Sequence, residues 1–430
     1  MMEEEPIRLT EHCIEDEDID PEALRVVERL HDFGFYAYLV GGSVRDLLLD
    51  RTPKDFDVVT SAQPNEIRRL FRKCRLIGRR FRLAHITGSR GQIIETATFR
   101  AKPKAAGEAE LIIDDNQFGT PHSDALRRDF RVNALFYDPI QKEVIDYING
   151  LEDLEARVLR TIGDPNTRFR EDPVRMLRAV KFAARLSFSI ADDSRSAIIK
   201  ERAELSKAAI PRLYQEVVNL LNGGAAAASF ELLDELRLLE ILMPEIAAAF
   251  GRTLDGGRER IIELLHAVDQ RKRENQPVTH AMLLAALFWP VVEMVIDDLP
   301  AEAEAKTYRA VAAELTRPFA IRLSVPRKTM EGVLVIIESQ LRYDRLSRKR
   351  SARGALARQP SYGAVIHFAQ LRNEAGDLHS EEQAVWENQA LEHPPPDLSR
   401  LKLKEKRRTS RHKNSGDGQR RHRRRHTRRT

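Results

Sequence analysis

The stretch YLVGGSVRDLLLDRTPKDFDVVT, residues 38–60, decides how the first part of the chain is read. It is entered through FYAYLV, an aromatic and β-branched run that predicts a strand. Gly41 and Gly42 end that run, SVRDLLL predicts a helix start, and DFDVVT predicts a second strand. Strand side chains alternate, so Asp55 and Asp57 are expected on one face. Two carboxylates so placed repel each other unless a cation lies between them. Mg²⁺ prefers such hard oxygen ligands and bridges carboxylates to phosphates. Glu95, in QIIETATFR, is the candidate third carboxylate, from a neighbouring strand. Glycine lets backbone approach a ligand closely, amides at the following helix start attract phosphate, and Ser43 and Arg45 add donors. Each half has an ordinary reading: a solvated strand face, and a tight turn with a surface Arg45–Asp46 pair. A phosphate-binding turn followed by a D-x-D strand is a much less common combination.

Around this stretch the first 150 residues read as mixed α and β. Residues 1–20 form a loose acidic lead-in. DPEALRVVERLHDFG predicts a helix with an Asp cap, a proline in its first turn and Gly34 as its stop. AQPNEIRRLFRKC predicts another. LAHITG, QIIETATFR and EVIDYI are further strands, residues 101–117 a loop, and NGLEDLEAR a segment turning away. After Asp164 the periodicity becomes helical. EDPVRMLRAVKFAARL, IPRLYQEVVNLLNGG, SFELLDELRLLEILMP and RERIIELLHAV all show it, and residues 165–395 are expected to be all-helical.

Composition bounds the rest. The chain has 430 residues, 32% of them charged, and only two cysteines, Cys13 and Cys74. A disulfide framework is not expected, and a reducing, cytoplasmic setting is. MMEEEP has no signal-peptide character. The longest apolar run, AMLLAALFWPVVEMVI, is too short to span a bilayer and contains Pro290 and Glu293, so a buried helix broken near the proline is expected, with no membrane partner. Charge is uneven: residues 400–430 hold fifteen Lys and Arg against Glu405 and Asp417, a surplus of thirteen. With +5 for the whole chain, the body carries −8. After the proline-marked EHPPPDLSR, the low-complexity tail is expected to be disordered. Its arginines, Arg420, Arg421, Arg423, Arg424 and Arg425 among them, suit non-specific phosphate binding.

More motifs follow in order: ALRRDFRVNAL at 125–135 and RFREDPVRMLRAVKFAARL at 168–186. With LVGGSVRD and KDFD they resemble the class II nucleotidyltransferases of the polymerase β superfamily, the group of bacterial poly(A) polymerases and CCA-adding tRNA nucleotidyltransferases. The likeness runs by motif over residues 30–230 and more weakly to 390. It implies an α+β fold: a mixed nucleotidyltransferase head (31–164) after a lead-in and helix (1–30), then a helical nucleotide-recognition and RNA-binding domain (165–250), a helical body (251–395) and the basic tail (396–430). It implies metal held by Asp55 and Asp57, with Glu95 in the place of a possible third ligand, in a two-metal Mg²⁺ site. Catalytic residues would be Asp55, Asp57 and Asp129. Gly41, Gly42, Ser43, Arg45, Arg128 and Asn133 would serve the nucleotide, as would Glu171, Asp172, Arg175 and Arg178, with Glu171, Arg175 and Arg178 on adjacent turns of one helix face.

Two departures stand out. Asp50 occupies a position where the family often has glycine, and residues 101–117 match nothing in the pattern. LIGRRFRLAHI, residues 76–86, resembles the segment that marks poly(A) polymerases rather than CCA-adding enzymes. Arg79 and Arg80 there suit RNA phosphates, while His85 reads as a packed residue. The expectation is a template-independent enzyme adding AMP from ATP to RNA 3′ ends. The alternatives are CCA addition to tRNA and an inactive RNA-binding homologue.

Overall fold

The computed structural model describes residues 5–78, 82–101, 117–250, 256–297, 305–346, 356–359 and 361–395. The chain divides into two compact units, residues 1–216 with 232–241, and 217–231 with 242–430.

The first unit is built on an eight-stranded sheet. Its strands are β1 (Ile7–Leu9), β2 (Ala37–Val40), β3 (Asp57–Thr60), β4 (Cys74–Ile77), β5 (Leu83–Thr87), β6 (Ile93–Thr98), β7 (Phe136–Asp138) and β8 (Glu143–Asp146). Their order is β1-β8-β7-β2-β3-β6-β5-β4. Only β3 and β6 run parallel; the other neighbours are antiparallel. Helices α1 (Pro21–Asp32) and α3 (Pro64–Leu70) pack on one face, α1 against β2, β3 and β6 and α3 against β4 and β5. Between them in sequence, α2 (Gly42–Leu48) follows the glycine turn. On the other face Tyr38, Val40, Val59, Phe99, Phe136 and Ile145 form a core with Ala125, Ala134 and Ile162. Period-two alternation decides this division: Val58, Thr96 and Ala84 are buried towards α1 and α3, while Asp57, Glu95 and His85 point the other way.

The sequence reading needs correction in several elements. Residues 1–20 are not all loose, because β1 adds an edge strand paired to β8. The helix placed up to Cys74 ends at Leu70, and Cys74 opens β4. β7 carried no expectation at all. NGLEDLEAR contains the short helix α5 (Gly150–Glu155), which comes after α4 (Pro121–Leu126). The single helix expected from residue 171 is two, α6 (Pro165–Glu171) and α7 (Val174–Leu186). Pro173 lacks an amide hydrogen and pushes Asp172 into an extended conformation, at φ −147°. The region after 164 also holds a short strand, Ser189–Ile190, paired in parallel with Val158–Leu159.

The second unit is helical, with long helices at Gly257–Arg273, His280–Asp297, Ala305–Arg322, Arg327–Leu346, Tyr362–Glu374 and Ser380–Glu392. His280–Asp297 runs through Pro290 instead of breaking there. One proline costs a helix about 3 kcal/mol. Leu283, Leu284, Leu287, Phe288 and Trp289 are all buried beside it, and each is worth about 1.5–3 kcal/mol. The helix is long and apolar enough to cross a membrane by length and composition, yet 67% of its apolar window is buried inside the protein. That is the environment of a core helix. Beside it Arg372 lies 4.1 Å over the Trp289 ring, and Asp377 accepts hydrogen bonds from both side chains.

Candidate active site

The site grows from the register of β2 and β3. Val40, the last residue of β2, pairs with Asp57, the first of β3. The turn that follows Val40 therefore stands directly beside the acidic segment. Gly41 holds φ +80°, a left-handed conformation that side chains disfavour, and a Cβ there would approach Arg128 Nη1 to 3.3 Å. Arg128 thus closes over the turn. Its Nε and Nη2 donate to Asp124 Oδ2 at 3.1 and 2.9 Å, while Nη1 makes no hydrogen bond among the described residues. Burial works against the charged form of Asp124, but Arg128 and Arg127 outweigh it and hold its carboxyl below the ordinary range.

Asp55 lies just ahead of β3, not on it, so strand alternation does not align the acidic pair as expected. The two carboxylates still influence each other. Asp57 is pushed up to about 6, first by the surrounding protein, then by Glu95, with a smaller push from Asp55 and opposition from Arg128. Its side chain remains open to solvent. Glu95 is the register partner of Asp57 on β6, and its Oε1 lies 3.4 Å from His85 Nε2. No group of three His, Cys, Asp or Glu side chains converges as a preformed metal site among the described residues. Two neighbouring carboxylates, one raised first by the surrounding protein and then by Glu95, fit a divalent cation whose remaining ligands are water and phosphate.

Beneath the turn the predicted nucleotide residues divide into inward and outward groups. Arg45 is only 2% exposed. It donates twice to Asp46 Oδ1, at 2.9 and 2.6 Å, and once to Asn133 Oδ1, and it stacks 5.2 Å from the Phe182 ring centroid. It is a buried strut and not the open phosphate donor its motif suggested. Ser43 is buried too, donating to the Val40 carbonyl at 3.3 Å. Asn133 donates to Asp129 Oδ1 at 3.1 Å, and Arg178 Nε donates to Asp129 Oδ2 at 2.7 Å. Burial disfavours charge on Asp129, but Arg178, the Asn133 amide and the Phe130 backbone amide together hold its carboxyl low. Asp129 therefore stands in a buried chain, Arg45–Asn133–Asp129–Arg178, that ties α2 to α7.

The helical break at Pro173 separates the remaining candidates. Glu171 ends α6 and accepts from Arg168 at 2.9 Å and from Arg175 at 3.3 Å. Asp172 accepts from Arg212 at 2.8 Å, and Arg178 turns to Asp129. Glu171, Arg175 and Arg178 thus do not form one ladder. Arg175 keeps Nε and Nη2 without hydrogen bonds among the described residues. Arg79, Arg80 and the tail arginines Arg420, Arg421, Arg423, Arg424 and Arg425 lie outside the described residues.

Sequence reasoning missed Asp124, Arg185 and Phe182, and it placed the Arg45–Asp46 pair on the surface where it is buried. Asp124 was within reach, lying four residues before Arg128 on one helical turn. Arg185 donates to Asp46 at 3.0 Å from across the fold, and Phe182 carries Arg45, Arg178 and Lys181 about its ring. Those contacts have no local signature.

The chain is similar to known proteins along most of its length. Residues 37–160 match the poly A polymerase head domain, 187–250 the probable RNA and SrmB-binding site of polymerase A, and 301–430 the polymerase A arginine-rich C-terminus. The poly(A) polymerase I of Salmonella typhi is 38% identical over 90% of this chain and 86% of its own length. A CCA-adding enzyme of Lactobacillus helveticus is 36% identical over only 52% of this chain and 55% of its own. Among solved structures, the CCA-adding enzyme of Bacillus stearothermophilus in complex with CTP superposes with a TM-score of 0.63 at 26% identity, covering 87% of this chain and 83% of that one. Head, RNA-binding segment and arginine-rich end all match in order, so the chain belongs to the bacterial poly(A) polymerase family of nucleotidyltransferases.

Proposed function

We propose that this enzyme extends RNA 3′ ends with AMP from ATP at the junction of β2 and β3. The observation that carries it is the pairing of Val40 with Asp57, which sets the Gly41 turn beside the Asp55–Asp57 segment. The triphosphate lies against the turn, where Gly41 leaves room and Arg128 Nη1 offers a donor with no hydrogen bond among the described residues. Arg45, Asn133 and Asp129 hold the turn from below. Asp55 and Asp57 hold Mg²⁺, which when bound supplies charge neutralisation on the phosphates and a more reactive 3′-oxygen. The 3′-hydroxyl attacks the α-phosphate, the bond to the bridging oxygen breaks, and pyrophosphate leaves; positioning and electrostatics carry most of the rate. Arg175, braced by Glu171 and with two nitrogens to spare, faces the incoming base. The RNA is taken without regard to sequence and in the cytoplasm.

The test is to incubate the full chain with an unstructured RNA and each nucleoside triphosphate in turn, resolving products by length. Long adenylate tails, weak use of CTP and no stop after three additions are expected. Asp57→Ala should abolish extension while RNA binding persists. Addition of two C and one A to a tRNA lacking its end, followed by arrest, would show CCA addition instead.

A further inference from the structure

A row of side chains leads away from the site over a half of the sheet whose residues on that face are exposed or half-buried among the described residues. Asp57 pairs with Glu95, Glu95 with His85, and His85 with Arg75. Residues directly opposed across a ladder share a face. Four polar side chains therefore stand in line over β3, β6, β5 and β4. Thr87, Ile93 and Ile77 share that face and are exposed, the two isoleucines by 53% and 40%. The opposite face of the same strands is closed by α1 and α3. The row ends on the sheet's edge strand, where Arg75 is exposed and has no hydrogen bond or ion pair among the described residues. Three strand spacings put Arg75 about 14 Å from Asp57.

The direction of this row matters. The Gly41 turn lies on the β2 side of Asp57, and the row leaves on the β6 side. In an in-line displacement the attacking oxygen sits opposite the leaving group. With pyrophosphate at the turn, the attacking 3′-hydroxyl is on the β6 side, and the strand that bears it must cross the open face. We propose that the 3′-terminal nucleotides of the RNA lie along this row, with Arg75 contacting a backbone phosphate and His85 the terminal nucleotide. Glu95 then serves His85: its carboxylate, 3.4 Å from Nε2, fixes the ring towards the RNA. The apolar Ile93 and Ile77 give the bases a surface to lie on. The assignment rests on the adenylyltransferase reading, and it gives a role to a histidine that reads in sequence as merely packed and to an arginine that reads as an ordinary strand residue.

The experiment measures adenylation by the full chain with RNA and ATP varied separately, and RNA binding without ATP by anisotropy. Arg75 is exposed on an edge strand, so its variants should fold. Arg75→Ala should raise the KM for RNA about tenfold, the worth of one charged contact. The KM for ATP should hold. The log–log dependence on salt should flatten by about 0.7, one phosphate contact on a single strand. Arg75→Lys should recover most of the affinity, and Arg75→Glu should be worse than Ala. His85→Gln should raise the KM for RNA while leaving the salt slope alone. An RNA with 4-thiouridine at its penultimate position should crosslink to residues 75–87. An enzyme that adds adenylate with an RNA KM unchanged in Arg75→Glu overturns the assignment. A wild type that adds no adenylate to any RNA, yet binds it with Arg75-dependent affinity, sinks the polymerase reading and leaves the RNA row standing.

Discussion

Asp57 and Asp129 respond to pH in opposite senses. Asp57 is raised to about 6, so the folded protein keeps a proton that the unfolded chain releases near its ordinary value. Its contribution to stability is full at low pH and is lost as pH rises from about 4 through about 6. Asp129 is held low, so its contribution is present above the ordinary carboxylate range and is lost on acidification. Asp57→Asn, in chelator, should therefore be more stable than wild type at pH 7.5, by on the order of 1 kcal/mol once solvent screening is allowed for. The difference should vanish near pH 4. Denaturant unfolding at the two pH values checks this, and an Asn variant less stable than wild type at pH 7.5 would contradict the crowding described for Asp57. Much at this scale could be read from sequence: the D-x-D pair, the glycines and Arg128 are neighbours in the fold. Even the Asp50 departure has a cause, since Asp50 sits at φ +55°, a left-handed position that glycine fills more easily. The burial of Arg45 could not be read, because an arginine looks the same in sequence whether its donors face solvent or Asp46 and Asn133.

Element boundaries were legible where a pattern had room to repeat. Helix α1 gave its cap, its proline and its stop, and Asp20 does accept the Glu22 amide at 2.7 Å. Strands β1 and β7 have three residues each, too few for alternation to show, and they exist because neighbours complete their hydrogen bonding. The α6–α7 break was marked by Pro173, but a continuous helical periodicity on both sides masked it. Gly150 opens α5 against the 3₁₀ turn Arg131–Asn133, and a Cβ on it would come within 2.5 Å of the Arg131 carbonyl oxygen. Backbone at that distance must move. Gly150→Ala should cost about 1–3 kcal/mol, the usual penalty of overpacking. It should also lower kcat, because Asn133 on the displaced turn bridges Arg45 and Asp129. Unfolding midpoints together with adenylation rates check both, and a variant of wild-type stability and rate would show that α5 does not hold the turn.

For the whole molecule, charge is divided between an acidic body and a strongly basic end. The body carries −8 and residues 400–430 a surplus of thirteen, in a segment that matches the arginine-rich C-terminus of polymerase A. An enzyme that extends unrelated RNA ends gains little from shape recognition, and cations on the phosphate backbone serve every sequence equally. Deleting residues 402–430 should therefore weaken RNA binding for all sequences alike. For every RNA phosphate the tail no longer neutralises, the log–log salt dependence should flatten by about 0.7, so releasing three phosphates lowers the slope by about 2. The preference for ATP over CTP should not move, because the proposed function assigns it to Arg175, outside the tail, and size discrimination of a base is worth about 1–3 kcal/mol. Truncation should also be distinguishable from Arg75→Ala, which on the proposal above removes a phosphate contact about 14 Å from Asp57 and so raises the KM for even a short primer. Truncation should spare a primer of a few nucleotides and penalise a long one. Salt titrations of the full and shortened chains on short and long RNA test this, and curves that coincide on the long RNA would remove the tail from RNA binding altogether.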